Sequence, residues 1–361
     1  MAFGSQQRAR PCEARVALIG AGTIGARYLG SLRQTPGFEV VSVCSRNPEN
    51  AGRFASEHGL SAKSLEIILA DPDINYVLNL TPAEEHGAIT AACLQAGKSV
   101  YSEKPLASTL SEADALIELA DHRGLLLACA PATFLWPTLA TAGRLVREGR
   151  LGSVIGALST LVYQGPEIFH PHPAHLYSAS AGPLRDMGVY QITALMALLG
   201  PVVSVSAFSS RSRTQRSILV GPDAGKYFRV DADTHFQAQL LHINGAVSSV
   251  IVSFDSISAG SPQFNVFGTE AGLSIENSHS PDGKILVKNK DSREEVIFAE
   301  PVWTESDWGV GAVSAWNAYH SNLVIQTNAR RARDVLAVLI ALENSAASKA
   351  VISLTPSIAW S

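Results

Sequence analysis

A short buried strand, a glycine-rich turn and a helix follow one another near the start of the chain. Residues 15–20 form a nearly continuous apolar run, typical of a central parallel strand, which leads into Gly20-Ala21-Gly22-Thr23-Ile24-Gly25. In a G-x-G-x-x-G sequence the glycines permit a tight turn, a close approach of pyrophosphate to the backbone, and packing of helix on strand. Helical periodicity follows and would place a phosphate at a helix N-terminus. The stretch predicts a dinucleotide site, with a purely structural turn as the alternative. The predicted contacts are Gly20, Gly22, Thr23, Ile24 and Gly25.

The alternation of strand and helix continues to residue 130. Further strands are predicted at residues 38–44, 74–80, 98–102 and 125–130, and helices at 48–58, 65–70, 84–96 and 111–121. Because such alternation builds a parallel sheet covered by helices, we expect a doubly wound Rossmann domain over residues 12–131. The polar residues 1–11 are expected to form a disordered tail.

The turn after the second predicted strand bears on the choice of nucleotide. The chain there reads Cys44-Ser45-Arg46-Asn47, without the carboxylate that binds the ribose 2′-hydroxyl of NAD in many such sites. A hydroxyl followed by a guanidinium suits a 2′-phosphate, since arginine can stack on adenine and pair with phosphate. Ser45 and Arg46 therefore favour NADP(H) over NAD(H). The alternative is that Arg46 is a solvated loop charge.

A lysine follows the strand predicted at residues 98–102, in the sequence Ser102-Glu103-Lys104-Pro105. Burying an ammonium is costly unless it has a partner or a task, and Pro105 disfavours helix at Lys104. The carboxyl edge of an open α/β sheet is where ligands bind. Lys104 is therefore a candidate active-site residue beside a dinucleotide.

A second turn at the same predicted edge reads Thr81-Pro82-Ala83-Glu84-Glu85-His86. Proline suits the start of a helix, so the segment has an ordinary structural explanation. The functional interpretation places Thr81 and Pro82 against the nicotinamide ribose of the cofactor. His86 would then point back towards the lysine strand.

The second half of the chain is rich in predicted strands. We expect strands at residues 153–163, 202–209, 233–243, 246–254, 264–268, 273–275 and 284–287, with hairpin turns at Asn244-Gly245 and Asp282-Gly283. The pattern indicates an α+β domain over residues 132–361 that contains a large, mostly antiparallel open sheet. A sheet of this size needs both faces partly covered, which favours a homodimer or homotetramer formed through it.

A helix predicted from residue 182 to residue 199 carries an acid and a phenol. Asp186 and Tyr190 are four residues apart and therefore share one face, in a stretch whose other side chains are strongly apolar. A buried carboxylate and phenol require partners. A structural Asp–Tyr pair, or an aspartate that stabilises the helix N-terminus, is the alternative to a catalytic pair.

Three histidines precede this helix, in His170-Pro171-His172-Pro173-Ala174-His175. No carboxylate or cysteine lies within this segment to complete a metal site, so we predict no metal. We expect His170 and His175 to donate hydrogen bonds to a polyol substrate, and His172 to be solvated.

Bulk properties exclude several classes of function. The chain has 361 residues and a formal net charge of −4, which gives no electrostatic case for binding nucleic acid or an anionic membrane. No stretch approaches the length of a transmembrane helix. The four cysteines form no C-x-x-C pair, so reduced thiols in a cytoplasmic protein are the simplest explanation.

Several motifs match one family in kind, order and spacing. Gly20-x-Gly22-x-x-Gly25, Asn79-Leu80-Thr81-Pro82 with His86, and Ala96-Gly97-Lys98 leading to Glu103-Lys104-Pro105 resemble the glucose-fructose oxidoreductase / inositol dehydrogenase / MocA (Gfo/Idh/MocA) family. The resemblance covers nearly the whole chain, more loosely after residue 200. It implies an NAD(P)-dependent dehydrogenase or reductase that acts on a CH–OH or C=O carbon of a sugar, sugar derivative or cyclitol.

The resemblance also implies roles for particular residues. Lys104 would contact substrate and nicotinamide, Glu103 would join the cofactor site, and Asp186 would orient the substrate hydroxyl or Lys104. The family usually has a histidine four residues after this aspartate, whereas Tyr190 resembles the branch that contains glucose-fructose oxidoreductase and dihydrodiol dehydrogenase. Tyr190 would exchange the hydroxyl proton, and Lys104 would stabilise its phenolate and the developing oxyanion.

Two alternatives remain open. Some proteins of this fold are non-catalytic ligand-sensing regulators, although the intact set of Lys104, Asp186 and Tyr190 argues against that role. In the other alternative the nucleotide stays bound and is recycled within one protein, as in glucose-fructose oxidoreductase. The lack of an export signal like that enzyme's disfavours this second alternative.

Overall fold

The chain forms two compact units in a computed structural model that describes residues 13–256, 263–278, 280–299, 308–357 and 360. The first unit contains residues 13–132 and 308–332, and the second contains residues 133–299 and those from 333 onward. Residues 308–332 thus cluster with the first unit, although the sequence analysis placed them in the second domain. The predicted tail at residues 1–11 lies outside the described residues.

The helices of both units have well-defined bounds. In chain order they are α1 (Thr23–Arg33), α2 (Pro48–His58), α3 (Leu65–Ala70), α4 (His86–Gln95), α5 (Leu110–Arg123), α6 (Pro137–Arg147), α7 (Val189–Leu199), α8 (Val310–His320) and α9 (Ala329–Ser348). Short 3₁₀ turns span Ala83–Glu85, Thr133–Leu135, Pro166–Ile168 and Pro173–Tyr177, and Leu184–Gly188 is a π-helical turn. Asn47 and Thr109 cap α2 and α5 through their side chains, which explains why these helices begin where they do.

A six-stranded parallel sheet forms the centre of the first unit. Its strands are β1 (Ala14–Ile19), β2 (Phe38–Cys44), β3 (Ser61–Ala62), β4 (Tyr76–Asn79), β5 (Ser99–Ser102) and β6 (Leu127–Cys129). Their spatial order is β3-β2-β1-β4-β5-β6, so β1 pairs with both β2 and β4. The strand order reverses between β1 and β4, and at such a point the carboxyl ends of the strands leave a crevice for a ligand. The predicted doubly wound sheet is confirmed.

The core of the first unit includes a helix from late in the chain. Tyr76 on β4 is fully buried, its ring centroid lies 4.7 Å from that of Trp316 on α8, and its hydroxyl donates to the carbonyl of Ala312 at 3.0 Å. Leu18 and Leu78 are also fully buried in this cluster. The chain therefore returns to the first unit to complete its core.

A nine-stranded sheet forms the second unit. Its strands are β7 (Val154–Val162), β8 (Val202–Ser210), β11 (His235–His242), β12 (Val247–Ser253), β13 (Gln263–Gly268), β14 (Ala271–Ile275), β15 (Lys284–Asn289), β16 (Glu294–Phe298) and β17 (Ile352–Ser353), while β9 (Gln215–Ser217) and β10 (Tyr227–Arg229) form a separate pair. The order is β16-β15-β14-β13-β7-β12-β11-β8-β17, and only the β7–β12 pairing is parallel among the pairings of this sheet's described strands. Antiparallel pairing joins β11 to β12 across Asn244-Gly245, so this predicted hairpin is confirmed. β14 and β15 also pair antiparallel, but β14 ends at Ile275 and Asp282-Gly283 directly precedes β15, so these two residues are not a two-residue turn between the strands.

The two faces of this sheet differ in character. One face forms a core with α6, α7 and α9, which includes Leu161, Ile192, Leu195 and Leu339. Along β11 buried and exposed residues alternate, as expected when one face of a sheet is covered. The other face carries exposed apolar side chains, among them Phe208, Leu241, Val247 and Phe267.

Candidate active site

The glycine-rich turn joins β1 to α1 at the carboxyl end of the first sheet. Gly20 has φ +122°, and a Cβ there would lie 2.4 Å from the carbonyl oxygen of Leu80, at the end of β4. A Cβ on Gly25 would lie 2.9 Å from the carbonyl oxygen of Gly20. Both positions therefore exclude a side chain.

The space next to Gly22 is open. A Cβ on Gly22 would meet no atom of the described residues within 4 Å. Gly22 begins α1, where, within the described chain, no side chain caps the helix and no acidic residue lies in the first turn. The amide groups at this helix N-terminus are thus available to an anion such as a pyrophosphate.

The end of β2 carries an arginine that is paired with a glutamate. Ser45 is half-buried, and the side chain of Arg46 is 86% exposed, with its Nη1 3.5 Å from Oε1 of Glu85. Glu85 comes from the 3₁₀ turn after β4, so the sequence analysis, which considered only the residues after β2, missed it. The Arg46 guanidinium and the Glu85 carboxylate therefore form an ion pair at the place where Rossmann domains bind the 2′ substituent of the adenosine ribose.

His86 links the ends of two neighbouring strands. It is 1% exposed, and its Nδ1 and Nε2 lie 2.6 Å and 2.8 Å from the carbonyl oxygens of Pro105 and Thr81. Asn79 supports the same turn, since its Oδ1 accepts the Thr81 hydroxyl at 2.7 Å. Because both ring nitrogens are engaged within the protein, these contacts favour a positioning role for His86 rather than direct contact with a cofactor.

Glu103 holds the backbone that carries Lys104. One carboxylate oxygen accepts the hydroxyl of Tyr28 on α1 at 2.7 Å, and the other accepts the backbone N–H of Lys104 at 3.0 Å. Glu103 is 9% exposed, whereas Lys104 is half-buried. The glutamate therefore ties the lysine turn to the helix that follows the glycine-rich turn.

The lysines at the two ends of β5 are in contrasting surroundings. Lys98, at the amino end, is 5% exposed and donates to the carbonyl oxygens of Asp71 and Ile74, the latter at 2.8 Å. Burial lowers the pKa of Lys98, and Asp71 offsets part of that shift. Lys98 thus has a structural role, while Lys104 lies at the edge where this class of sheet binds ligands.

In the second unit, Asp186 and Tyr190 lie at the start of the helix predicted from residue 182 to residue 199. Its first turn, Leu184–Gly188, is π-helical, since the N–H of Val189 donates to the carbonyl of Leu184, five residues earlier. Asp186 is half-buried and Tyr190 is 8% exposed. Turns of this type occur frequently at functional sites.

Asp186 lies close enough to Tyr163 and His170 to affect both. Burial raises the pKa of Tyr163, and the Asp186 carboxylate raises it further. Burial lowers the pKa of His170, neighbouring His175 and His172 lower it further, and Asp186 offsets part of this shift. In the second unit, Asp186 therefore lies near His170 and near Tyr163, which the sequence analysis did not single out.

The histidine segment is held by its own local contacts. The rings of His170 and His175 meet edge to face at 5.3 Å, and the N–H of His172 donates to Nδ1 of His170 at 3.0 Å. His170 is half-buried and His175 is exposed. Among the described residues, no group of three histidines, cysteines, aspartates or glutamates is placed to hold a metal ion.

A buried ionic network supports the histidine segment, and sequence reasoning missed it. The Arg216 side chain is 2% exposed and pairs with Glu167 and Asp255, while Glu167 also accepts the hydroxyl of Tyr177. Gly165 has φ +106°, and a Cβ there would lie 2.4 Å from Oε2 of Glu167 and 2.9 Å from Arg216 Nη1. An acid next to Pro166, within an otherwise apolar stretch, was the signal that could have revealed the network.

Comparison with known proteins places these features in one family. Residues 14–130 match the family model described as "Oxidoreductase family, NAD-binding Rossmann fold", and residues 139–274 match "GFO/IDH/MocA C-terminal domain". The chain belongs to the Gfo/Idh/MocA oxidoreductase family. The resemblance inferred from the glycine, Thr-Pro and Glu-Lys-Pro motifs is thereby confirmed, together with the assignment of an NAD(P)-dependent oxidoreductase.

Individual Gfo/Idh/MocA relatives are distant. A 1,5-anhydro-D-fructose reductase of Ensifer adhaerens is 29% identical over 302 residues, which cover 78% of this chain and 82% of the relative. A trans-1,2-dihydrobenzene-1,2-diol dehydrogenase of Bos taurus is 28% identical over 190 residues, 52% of this chain and 56% of the relative. The structure of levoglucosan dehydrogenase in complex with NADH and L-sorbose has a TM-score of 0.84 at 21% identity, covering 95% of this chain and 99% of that one. At that identity the likeness shows a shared fold.

Two further observations bear on the environment of this family member. Cys44, Cys93 and Cys129 are buried free thiols, while Cys12 lies outside the described residues. In the described part of the chain, none of the helices combines the length and apolar character that crossing a membrane requires.

Proposed function

We propose that this protein transfers a hydride between NADP(H), in preference to NAD(H), and a CH–OH or C=O carbon of a sugar, sugar derivative or cyclitol. The observation that carries the proposal is Lys104, fixed by Glu103 at the carboxyl edge of a dinucleotide-binding sheet. The same chain supplies an acid and a phenol, Asp186 and Tyr190, one turn apart on a buried helix.

The first unit fits a nicotinamide dinucleotide. Open space beside Gly22 and an uncapped helix N-terminus suit a pyrophosphate, which Gly20, Gly22, Thr23, Ile24 and Gly25 would hold. Thr81 and Pro82 would contact the nicotinamide ribose, with His86 and Glu103 fixing the surrounding backbone. When bound, the nicotinamide supplies the hydride acceptor or donor.

The preference for NADP(H) rests on the residues after β2. The residues that directly follow this strand, Ser45-Arg46-Asn47, include no carboxylate, and Ser45 and Arg46 offer a hydroxyl and a guanidinium to a 2′-phosphate. Glu85 opposes that preference, because its carboxylate lies 3.5 Å from the same guanidinium and would repel a phosphate. The choice between the two nucleotides therefore depends on how far Arg46 outweighs Glu85.

The chain's own residues would move the proton of the reacting hydroxyl. In the oxidising direction Tyr190, as phenolate, takes the hydroxyl proton, and in the reducing direction it returns the proton to the oxygen of the former carbonyl. The Lys104 ammonium would stabilise the negative charge that develops on the substrate oxygen. Asp186 would accept a hydrogen bond from the substrate hydroxyl, and His170 and His175 would donate hydrogen bonds to other hydroxyls.

The substrate class draws support from several relatives that act on oxygenated carbons. They include the 1,5-anhydro-D-fructose reductase and a D-apiose dehydrogenase of Paraburkholderia graminis, 25% identical over 302 residues, as well as the bovine diol dehydrogenase. An acid, a phenol and two histidines are groups that hydrogen-bond hydroxyls readily.

A screen of sugars, ketoses and cyclitols with NADP⁺, NAD⁺ and their reduced forms tests the proposal. The absorbance of reduced nicotinamide reports turnover, and we expect activity in at least one sugar or cyclitol reaction with a higher kcat/KM for the NADP couple. Ligand binding without hydride exchange would favour the regulatory alternative. Reduced-nicotinamide absorbance that survives purification would favour a retained cofactor.

We also propose that the exposed face of the nine-stranded sheet joins copies of this chain in a homodimer or homotetramer, and that the protein is cytoplasmic. The face mixes apolar side chains with neutral polar ones, including Phe208, Leu241, Gln237 and Ser249. Phe208→Lys should reduce the mass measured by light scattering to that of a smaller assembly.

A further inference from the structure

Tyr163 lies at the sheet end that also carries the π-helical turn. It directly follows β7, and its N–H donates to the carbonyl of Ser253, at the end of β12, at 3.0 Å. The π-helical turn packs against β12: a Cβ on Gly188 would lie 3.6 Å from Cγ1 of Val252. Tyr163 and Asp186 are therefore placed at the same end of the sheet.

The face of β7 confirms this placement. The hydroxyl of Ser159 on β7 hydrogen-bonds Gln191 on α7, so this face of the strand points towards the helix. Tyr163 is four residues further along the chain, and positions four apart on an extended segment point to the same side. Its phenol therefore projects on the side where α7 and its preceding turn lie.

Packing holds the ring of Tyr163 in place. Phe254 meets it edge to face at 5.3 Å, and Phe169 stacks on it with ring centroids 6.2 Å apart and planes inclined by 20°. Phe169 is itself 63% exposed and precedes His170 in the histidine segment. The ring is thus a fixed part of the wall next to that segment.

The hydroxyl of Tyr163 is buried and has no hydrogen-bond partner among the described residues. By contrast, the hydroxyl of buried Tyr177 donates to Glu167, and that of Tyr76 donates to a backbone carbonyl. Most buried side-chain polar atoms are hydrogen-bonded, so an orphaned hydroxyl calls for an explanation. The fold accounts for the ring of Tyr163 but not for its oxygen.

We propose that Tyr163 is a substrate-binding residue, whose phenol donates a hydrogen bond to a second oxygen of the sugar or cyclitol besides the one that reacts. The inference rests on the proposed function and deepens it. Asp186 and Tyr190 handle the reacting hydroxyl, while Tyr163 requires a further oxygen on the substrate. The site therefore selects polyhydroxylated substrates over simple alcohols.

The protonation state of Tyr163 fits a donor. Burial raises its pKa, and Asp186 and Glu167 raise it further, so the phenol remains protonated through the physiological range. A protonated phenol can donate a hydrogen bond to a substrate oxygen and does not act as a base, so it does not compete with Tyr190 in that role.

The substitution Tyr163→Phe isolates the oxygen, because it keeps the ring and its stacking on Phe169 and Phe254. With the best substrate of the screen, we expect kcat/KM to fall about 5- to 10-fold, the size of one neutral hydrogen bond, mainly through KM. The melting temperature should not fall, since the hydroxyl donates to no described protein group. Tyr227→Phe, at a side chain 71% exposed on β10, is the matched control and should leave both quantities unchanged.

Monodeoxy analogues of that substrate give the decisive measurement. For one analogue, the wild type should be less active than it is with the parent substrate, because its hydrogen bond from Tyr163 is lost. The Tyr163→Phe variant, which lacks that hydrogen bond already, should turn over this analogue and the parent substrate equally well, and at the rate that the wild type shows with the analogue. Equal discrimination among all analogues by both proteins, or a melting temperature that falls while kinetics are unchanged, would overturn the assignment of Tyr163 alone. A wild type that neither turns over nor binds any sugar or cyclitol would overturn the proposed function, and this inference with it.

Discussion

The candidate nucleotide site and the acid–phenol region are built in different ways. Around the proposed pyrophosphate position in the first unit the groups are mainly backbone: glycines that leave room, an uncapped helix N-terminus, and turns fixed by His86 and Glu103. In the second unit they are side chains, Asp186, Tyr190, Tyr163 and His170, supported by buried charges. The first design serves a ligand shared by a whole family, whereas the second can change its ligand by exchanging side chains.

If this contrast is right, the largest effects on turnover should come from removing the side chains that take part in the chemical step. We expect Lys104→Ala and Tyr190→Phe each to lower kcat by about 10²- to 10⁴-fold, because each removes a group that handles charge or a proton in the transition state. Binding of NADP⁺, followed by fluorescence titration, should be largely retained. Lys226→Ala, at a side chain 71% exposed, is the control. Near-normal turnover of Lys104→Ala would refute the assignment.

The buried network should contribute to stability in the second unit. Arg216→Met leaves Glu167 and Asp255 without their cation, and removing one partner of a buried ion pair typically costs about 3–5 kcal/mol of unfolding free energy. Urea unfolding measures this loss. Arg229→Met, which breaks a pair whose arginine is 84% exposed, should cost at most about 1 kcal/mol. Similar losses for the two variants would show that the network is not a structural support.

Substitutions at Gly20 and Gly22 test folding and nucleotide binding in the first unit independently. Gly20→Ala forces a Cβ to within 2.4 Å of a carbonyl oxygen at a positive φ, and should lower the unfolding free energy by about 1–3 kcal/mol. Gly22→Ala meets open space and should leave stability within about 0.5 kcal/mol, yet raise the Kd of NADP⁺ about tenfold. Tight nucleotide binding by Gly22→Ala would show that the pyrophosphate lies elsewhere.

The pair formed by Arg46 and Glu85 should set nucleotide preference with a smaller effect. Arg46→Ala should weaken NADP⁺ about tenfold and NAD⁺ much less, because only NADP⁺ carries the 2′-phosphate. Glu85→Gln should strengthen NADP⁺ binding by a factor of about two to five, since it removes a repulsive carboxylate. Calorimetric titration of both nucleotides gives the ratios. Equal weakening of the two by Arg46→Ala would contradict the preference.

The smallest effect concerns acid stability. Burial alone would raise the pKa of Asp255, but hydrogen bonds from Thr234 and Ser212 and the Arg216 guanidinium hold it below its usual value. A carboxyl whose pKa is lower when folded stabilises the protein above its unfolded pKa, near 4, and loses that contribution as the pH falls further. Asp255→Asn should therefore show a shallower fall in melting temperature below pH 4 than the wild type. Parallel curves for the two proteins would argue against this linkage.

The sequence revealed the first unit more fully than the second. The helix predicted at residues 48–58 has those bounds, because Asn47 and Pro48 are local start signals, and the glycine spacing located the turn after β1. Glu85, Arg216 and Tyr163 escaped notice because their neighbours are distant in sequence: Arg216 is 49 residues from Glu167 and 39 from Asp255. The π-helical turn was not predicted either, because the periodicity of apolar residues does not distinguish a π-helical turn from an α-helical turn one residue shorter.

The additional residue in this turn affects the relative orientation of Asp186 and Tyr190 around the helix axis. A turn closed over five residues instead of four offsets everything before it by about 100° of helix rotation relative to an uninterrupted α-helix. Deleting Met187 would place Asp186 three residues before Tyr190 instead of four, and would so change the angle between the two side chains around the helix axis. The angle between the acid and the phenol therefore depends on the number of residues in this turn, and a deletion there changes it without replacing either residue.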